Sequence, residues 1–335
     1  MKLKAEWNVI SRSLARGRTE DALELLSRVP ELISVDRPRT VLWIAAQHGN
    51  AEVVRVALES GADPCRIGWD GCSCSLPEKP IVVAARNAHL DVVKMLRVHH
   101  EPLDIHDACA LGDRDRVNSL LQADPSQCAD VRVADPEGRF ALTPLHWAVF
   151  CGHREILAML LEAGADVRPH ADQSRTTLMS RLALALCRGY TDMAKVLMDA
   201  GDFPDGDREI CICYAQAAYG CRQDSIDLLL NHDLDINARR ADEEHGAFVH
   251  VRHPRFDSWL LLLDNGIELD AQRRNGKTML HIAAARGLKT FVGVLLERGA
   301  NHGVRDEQDL TALDYARGRK NQKMYEYLVD HGIES

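Results

Sequence analysis

The chain has 335 residues, 46% hydrophobic and 27% charged, the proportions of an ordinary soluble globular protein, which excludes a disordered or collagen-like chain. Its formal net charge of −9 disfavours a wholly basic nucleic-acid binder. No apolar run reaches the roughly 18–20 residues of a membrane span, and the opening MKLKAEWNVISRSLARG lacks the apolar core of a secretory signal.

Read from the N-terminus, the sequence resolves into short helix pairs punctuated by glycine. Residues 40–63 read TVLWIAAQHGNAEVVRVALESGAD, residues 143–167 read TPLHWAVFCGHREILAMLLEAGADV, and residues 278–301 read TMLHIAAARGLKTFVGVLLERGAN. Each predicts a first helix rich in Leu and Ala, a glycine turn, an amphipathic second helix and another glycine turn. The two glycines stand twelve residues apart, at Gly49/Gly61, Gly152/Gly164, Gly189/Gly201 and Gly287/Gly299. The same ruler places weaker copies at Gly17/Val29, Ala88/His100, Gly112/Asp124, Gly220/His232, Pro254/Gly266 and Lys320/Gly332, making ten units.

These units resemble the ankyrin repeat, whose T-P-L-H-x-A signature is met by Thr143, Pro144, Leu145, His146 and Ala148. The resemblance implies an all-α solenoid of stacked helix-turn-helix units with β-hairpin or loop fingers, because one helix pair cannot bury its apolar face alone. Small residues such as Ala45, Ala46, Ala84, Ala85, Ala283 and Ala284 are expected between inner helices. Larger ones such as Val53, Leu58, Ile156, Leu160, Val292 and Leu295 are expected to fill the core from the outer helices.

Successive units are 32, 39, 24, 40, 37, 31, 34, 33 and 33 residues apart, against about 33 in a regular array. The 39-residue gap lengthens the finger around CRIGWDGCSCSLPEKP, the 24-residue gap deletes a finger, and the next gap lengthens one from Asp124 to Leu142. The 37-residue gap reads as one added helical turn near Thr176. A missing finger followed by a long one predicts a break in stacking near residues 100–104, dividing the chain into residues 1–102 (repeats one to three) and 103–335 (repeats four to ten). Charge steps at the same place: residues 1–102 carry 14 basic and 13 acidic side chains, residues 103–335 carry 27 and 37.

Chemistry is sparse. There is no glycine-rich phosphate loop, G-x-S-x-G elbow or H-E-x-x-H. His146 and His281 hold the T-P-L-H position, where the resemblance implies a local hydrogen-bonding role, and Trp43 replaces them in repeat two. Cys65, Cys72 and Cys74 share one finger, but C-x6-C-x-C is not zinc spacing and no fourth ligand is evident. Cys211 and Cys213 are expected at the start of an inner helix, buried. His245, His250 and His253 cluster beside Asp242–Glu244, as partly exposed histidines, a pH-sensitive contact or metal ligands. The run from Asp199 to Glu209 lacks calcium-loop spacing. No cofactor and no metal are expected, and the ten scattered cysteines read as reduced thiols in the cytoplasm.

The two positions before each first glycine end the inner helices, and in ankyrin arrays they face the concave groove. Arginine stands in six of the ten pairs. The expected partner-binding residues are Arg16, His48, Arg86, Phe150, Arg188, Tyr219, Arg252, His253, Arg286 and Arg319, with Phe150 and Tyr219 as exposed apolar anchors. The competing reading is that a cation at a helix C-terminus is favoured by the helix dipole in any protein. The expectation is a non-enzymatic module, monomeric, gripping a protein with an acidic contact face and binding neither nucleic acid nor membrane. The 32 arginines against 9 lysines suggest a bacterial source, and a bacterial effector or immunity-type inhibitor is the narrower alternative. An enzyme hidden in a finger, with Cys65, Cys72 and Cys74 as its candidates, is the reading from another class.

Overall fold

The computed structural model describes residues 2–35, 37, 39–69, 76–99, 102–133, 141–167, 180–204, 206–238, 256–318 and 322–333. The chain forms two compact units, residues 1–184 with 196–202, and residues 185–195 with 203–335. The first contains the helix pairs α1 (Lys2–Ala15) and α2 (Thr19–Arg28), α3 (Val41–Gln47) and α4 (Ala51–Glu59), α5 (Pro80–Arg86) and α6 (Leu90–Arg97), α7 (Ile105–Leu111) and α8 (Arg114–Ala123), and α9 (Pro144–Cys151) and α10 (Arg154–Glu162). Helices α11 (Arg181–Arg188) and α12 (Thr191–Asp199) contribute residues to both units. The second unit continues with α13 (Asp207–Tyr219) and α14 (Gln223–Asn231), then α15 (Phe256–Asp264), α16 (Met279–Arg286) and α17 (Lys289–Glu297), and α18 (Ala312–Gly318) and α19 (Gln322–Asp330).

Within the first unit, inner helices stack on inner helices (α1, α3, α5, α7, α9) and outer on outer (α2 on α4 on α6, α8 on α10). Alanine makes the close inner stacking possible: Ala45, Ala46, Ala84, Ala108 and Ala148 have no exposed surface. The outer helices present one apolar stripe each, Val53 and Val54, Val92 and Leu96, and Leu157 and Leu160, all buried. In the second unit α13 packs on α15, and α16 packs on α17 and α18.

Glycine at the inner-to-outer turn answers two constraints. Gly49 and Gly112 have φ of +68° and +74°, which an L side chain adopts only with strain. A histidine of the next repeat also lies against each: a Cβ on Gly49 would stand 2.4 Å from His89 Nδ1, and one on Gly112 2.7 Å from His153 Cε1. The same imidazoles donate from Nε2 to the carbonyls of Gln47 (3.1 Å) and Ala110 (3.2 Å). Each ring thereby satisfies an inner-helix C-terminal carbonyl that the helix leaves open.

The lengthened fingers have structure. In the finger after α4, Gly68 and Glu78 pair as an antiparallel bridge. After α8 comes a 3-10 turn (Pro125–Ala129), then β1 (Arg132–Val133) paired with β2 (Ala141–Leu142). The expected break near residue 102 falls inside the first unit. There α6 gives way to α7 after seven residues, α5 still packs on α7, and the Lys79–Asp107 ion pair (2.6 Å) crosses the junction. The extra turn expected near Thr176 lies outside the described residues. Cys211 and Cys213 are buried, but α13 begins at Asp207, so they sit inside the helix and not at its start.

Ala88 takes the left-handed turn (φ +60°) that glycine takes in the neighbouring repeats, and its side chain is exposed. Ala88→Gly relieves that strain without opening a cavity. It is expected to raise stability by ~0.5–1 kcal/mol in urea melts, and a loss of stability would show the turn to be unstrained.

Candidate functional site

The sixth position before each first glycine is where the T-P-L-H histidine stands, and it links one repeat to the next. Trp43 Nε1 donates to the Glu78 carbonyl (3.0 Å), Tyr214 Oη to the Leu234 carbonyl (2.7 Å), and His281 Nε2 to the Leu310 carbonyl (3.1 Å). Three chemically different side chains thus deliver one buried donor to the finger that follows. His281 Nδ1 accepts from the Thr278 N–H (3.1 Å), and His146 Nδ1 from the Thr143 N–H (3.0 Å), completing a capping box at each helix start. Accepting at Nδ1 fixes the proton of the neutral ring on Nε2. Burial holds both imidazoles below the ordinary histidine range, strongly so for His146. The local hydrogen-bonding role expected of these two histidines is what they perform.

His106 occupies the same register, yet neither ring nitrogen has a hydrogen-bond partner among the described residues. Its Nε2 lies 3.4 Å from the exposed Asp130 carboxylate. Burial first, and the Arg132 guanidinium second, outweigh that attraction and push the imidazole down to about 4.

The expected partner-facing residues separate into groups. Arg16, His48 and Arg286 are exposed, while Arg188 and Tyr219 are half-buried. Partial burial, with His89 and Arg39 nearby, lowers the His48 pKa. Arg252, His253 and Arg319 lie outside the described residues, as do Cys72, Cys74, His245 and His250. Cys65 is exposed.

Phe150 is a correction. Expected as an exposed anchor, it has no exposed surface. Its ring meets Trp147 edge-on (6.3 Å between centroids, 86°) and is capped by the Arg86 guanidinium, 5.3 Å from its centroid. Arg86 is likewise committed to the interior. Its Nη2 stands 2.6 Å from Glu78 Oε1 and its Nε 3.3 Å from Oε2, a two-pronged pair with a carboxylate whose side chain is 1% exposed. The second position before the glycine therefore turns inward in repeat five, and the same position before the glycine equivalent Ala88 is used by the fold in repeat three.

Two features are new relative to the sequence reading. An ionic chain runs along the finger bases, from Lys79 to Asp107 (2.6 Å), from Asp107 to Arg132 (2.9 Å), and from Arg132 to Asp104, the N-cap of α7. Its only sequence signals are Lys79 at a cap position and the D-x-x-D of Asp104 and Asp107. In the second unit, a recess of about 410 Å³ opens between two fingers, lined among others by Gln272, Arg273, Arg274, Arg305 and Glu307. The dipeptide Arg273-Arg274 before an Asn-Gly turn was its legible trace. Among the described residues, no group of three or more His, Cys, Asp or Glu is placed to hold a metal, and no helix is long and apolar enough to cross a membrane.

Comparison with known families agrees with this geometry. The family of ankyrin repeats in three copies matches residues 105–207 and 249–335, and the single ankyrin repeat matches residues 39–69. The chain belongs to the ankyrin-repeat family. Ankyrin repeats as a family are protein-interaction scaffolds, generally without enzymatic activity. It is similar to the mouse B-cell lymphoma 3 protein homolog, 27% identical over 196 residues (56% of this chain, 43% of that protein). It is also similar to the human transient receptor potential cation channel subfamily A member 1, 24% identical over 295 residues (83% of this chain, 25% of the channel). The chain thus spans less than half the length of these relatives. Among solved structures, the ankyrin repeat domain of Bcl-3 aligns with a TM-score of 0.50 at 23% identity, covering 68% of this chain and 98% of that domain. These relatives are animal proteins and give no support to a bacterial source.

The ankyrin inner helices here yield two predictions. Arg86→Ala leaves Glu78 deprived of its guanidinium and strips the cap from Phe150. A loss of ~3 kcal/mol is expected in chemical unfolding, whereas an unchanged midpoint would show the pair to be dispensable. His106 carries a folded-state pKa of about 4, below its unfolded value. The unfolded chain therefore binds the extra proton first as pH falls, and stability is lost from about pH 6.5 down towards 4. Between pH 7.5 and 5 this amounts to roughly 2 kcal/mol. His106→Leu is expected to remove that part of the acid sensitivity in pH-dependent urea melts.

Proposed function

We propose that this ankyrin array binds a protein partner with an acidic contact face, through its inner-helix ends and fingers, and that it performs no catalysis. The observation that carries this reading is the exposure of Arg16, His48 and Arg286 at one register of the repeat, while Trp43 and His281, the buried donors of the helices that end at His48 and Arg286, are spent on the fingers that follow. Exposed guanidinium groups contribute to affinity for an acidic face and to the rate of encounter. Arg188 and Tyr219 belong to the same register and are proposed as flanking contacts. Phe150 and Arg86 are not part of the surface.

A cytoplasmic setting fits the eight described cysteines, all of them free thiols and two of them, Cys65 and Cys221, exposed. The test is affinity capture from the native cell with the wild-type chain and with Arg16→Glu/Arg286→Glu, both checked for unchanged thermal unfolding. At least a tenfold drop in recovery of the specific partner is expected, about 1.4 kcal/mol. Equal recovery by both proteins would remove the inner-helix ends from the binding surface.

A further inference from the structure

The second unit builds its last two described fingers to a common plan. In the first, the Arg273 N–H donates to the Lys277 carbonyl (2.9 Å) and the Gly276 N–H to the Arg273 carbonyl (2.8 Å). In the second, the Asp306 N–H donates to the Leu310 carbonyl (3.0 Å) and the Asp309 N–H to the Asp306 carbonyl (2.9 Å). The fingers touch: the Glu307 N–H donates to the Asn275 carbonyl (3.2 Å), and a Cβ on Gly276 would stand 2.9 Å from Asp306 Cα. Their bases are tied by His281 to the Leu310 carbonyl and by Lys277 Nζ, 4.5 Å from the Tyr315 ring centroid. The recess between them is therefore held by backbone and not by mobile side chains alone.

Its charges are unequally available. Asp306 is 6% exposed. Its Oδ1 accepts the N–H groups of Gln308 (2.9 Å) and Leu310 (3.1 Å), and its Oδ2 accepts the Tyr315 hydroxyl (2.7 Å). That carboxylate is consumed by the finger. Arg274 is exposed, and Arg305 is half-exposed with one guanidinium nitrogen held by the Asp309 carbonyl (2.8 Å) and 3.6 Å from the carboxylate of the same residue, which orients the fork. With Arg273 also on the wall, three guanidinium groups stand with Asp306, whose carboxylate the finger consumes, and with the exposed carboxylates of Glu307 and Asp309. A recess of about 410 Å³ lies within the range of ligand-sized sites.

We infer that this inter-finger recess is an acidic-peptide subsite, in which Arg274 and Arg305 grip one or two carboxylate side chains of the partner. The planar guanidinium matches a carboxylate by paired, charge-assisted hydrogen bonds. A nucleic-acid backbone suits it less: the basic tract is short, whereas phosphate binding gains from long basic tracks.

The inference rests on the partner-binding reading and refines it. Its test uses no native partner, so its failure leaves that reading to the capture experiment. Fluorescein-labelled hexaglutamate, hexaglutamine and a thymidine oligonucleotide are titrated in low salt against the full chain, Arg274→Glu/Arg305→Glu and Arg274→Gln/Arg305→Gln, with thermal unfolding confirming that each is folded. Hexaglutamate alone is expected to bind, with affinity falling about tenfold or more in the Glu variant, less in the Gln variant, and steeply with added salt. Equal binding of hexaglutamate by all three proteins, no binding of it by the wild type, or preference for the oligonucleotide would each overturn the assignment.

Discussion

The register of neighbouring repeats depends on a buried donor reaching a backbone carbonyl of the finger that follows, as at Trp43, Tyr214 and His281. A two-helix unit has too little core to stand alone, and apolar contact between smooth alanine-rich faces fixes distance better than register. The donor at the sixth position before the glycine supplies the register. Tryptophan, tyrosine and histidine all serve, because what matters is an N–H or O–H at the end of a flat side chain of sufficient reach. The histidines at 89 and 153 add a second tie on the other side of the glycine, and that ring, as much as the backbone angle, excludes any side chain at positions 49 and 112. Losing such a donor leaves a buried carbonyl unpaired, which costs more than the hydrogen bond itself contributed.

The same economy explains why half of a repeat's register can be a surface and the other half a core. Near the inner-helix end, a side chain pointing across the stack meets the neighbouring repeat, and one pointing along the open edge meets solvent. Phe150 and Arg86 take the first direction, Arg16 and Arg286 the second. A row of like residues in a sequence is therefore not yet a row on a surface. The fold draws on it first wherever a long side chain can reach a buried partner such as Glu78.

The repeat architecture was largely legible because it is written locally. The twelve-residue glycine spacing, the T-P-L-H of residues 143–146 and the alanines of the inner helices each imply a structure within a few residues of themselves. The lengthened finger from Asp124 to Leu142 was legible for the same reason. What sequence could not reveal were pairings between distant positions. Arg86 with Phe150, and Lys79 with Asp107 and Arg132, join different repeats and follow from which elements become neighbours in the stack. Spacing reports the deletion as a discontinuity, whereas the structure shows the flanking elements closing over it. The finger recess of the second unit was missed similarly: Arg273 and Arg274 are visible as a pair, but Arg305 joins them only through the stacking of two hairpins.

The contact between Arg86 and Phe150 also changes how the first unit comes apart. In an ideal solenoid each repeat feels only its immediate neighbours, and the array unfolds as a one-dimensional chain of independent couplings. Here the third helix pair touches the fifth across the fourth, and the ionic chain from Lys79 to Arg132 runs alongside. A coupling that skips a unit adds a contact between the third and fifth pairs to the nearest-neighbour couplings of the array. The pair flanked by the shortest connection is thereby bridged from both sides, by the Arg86–Phe150 contact and by the ionic chain.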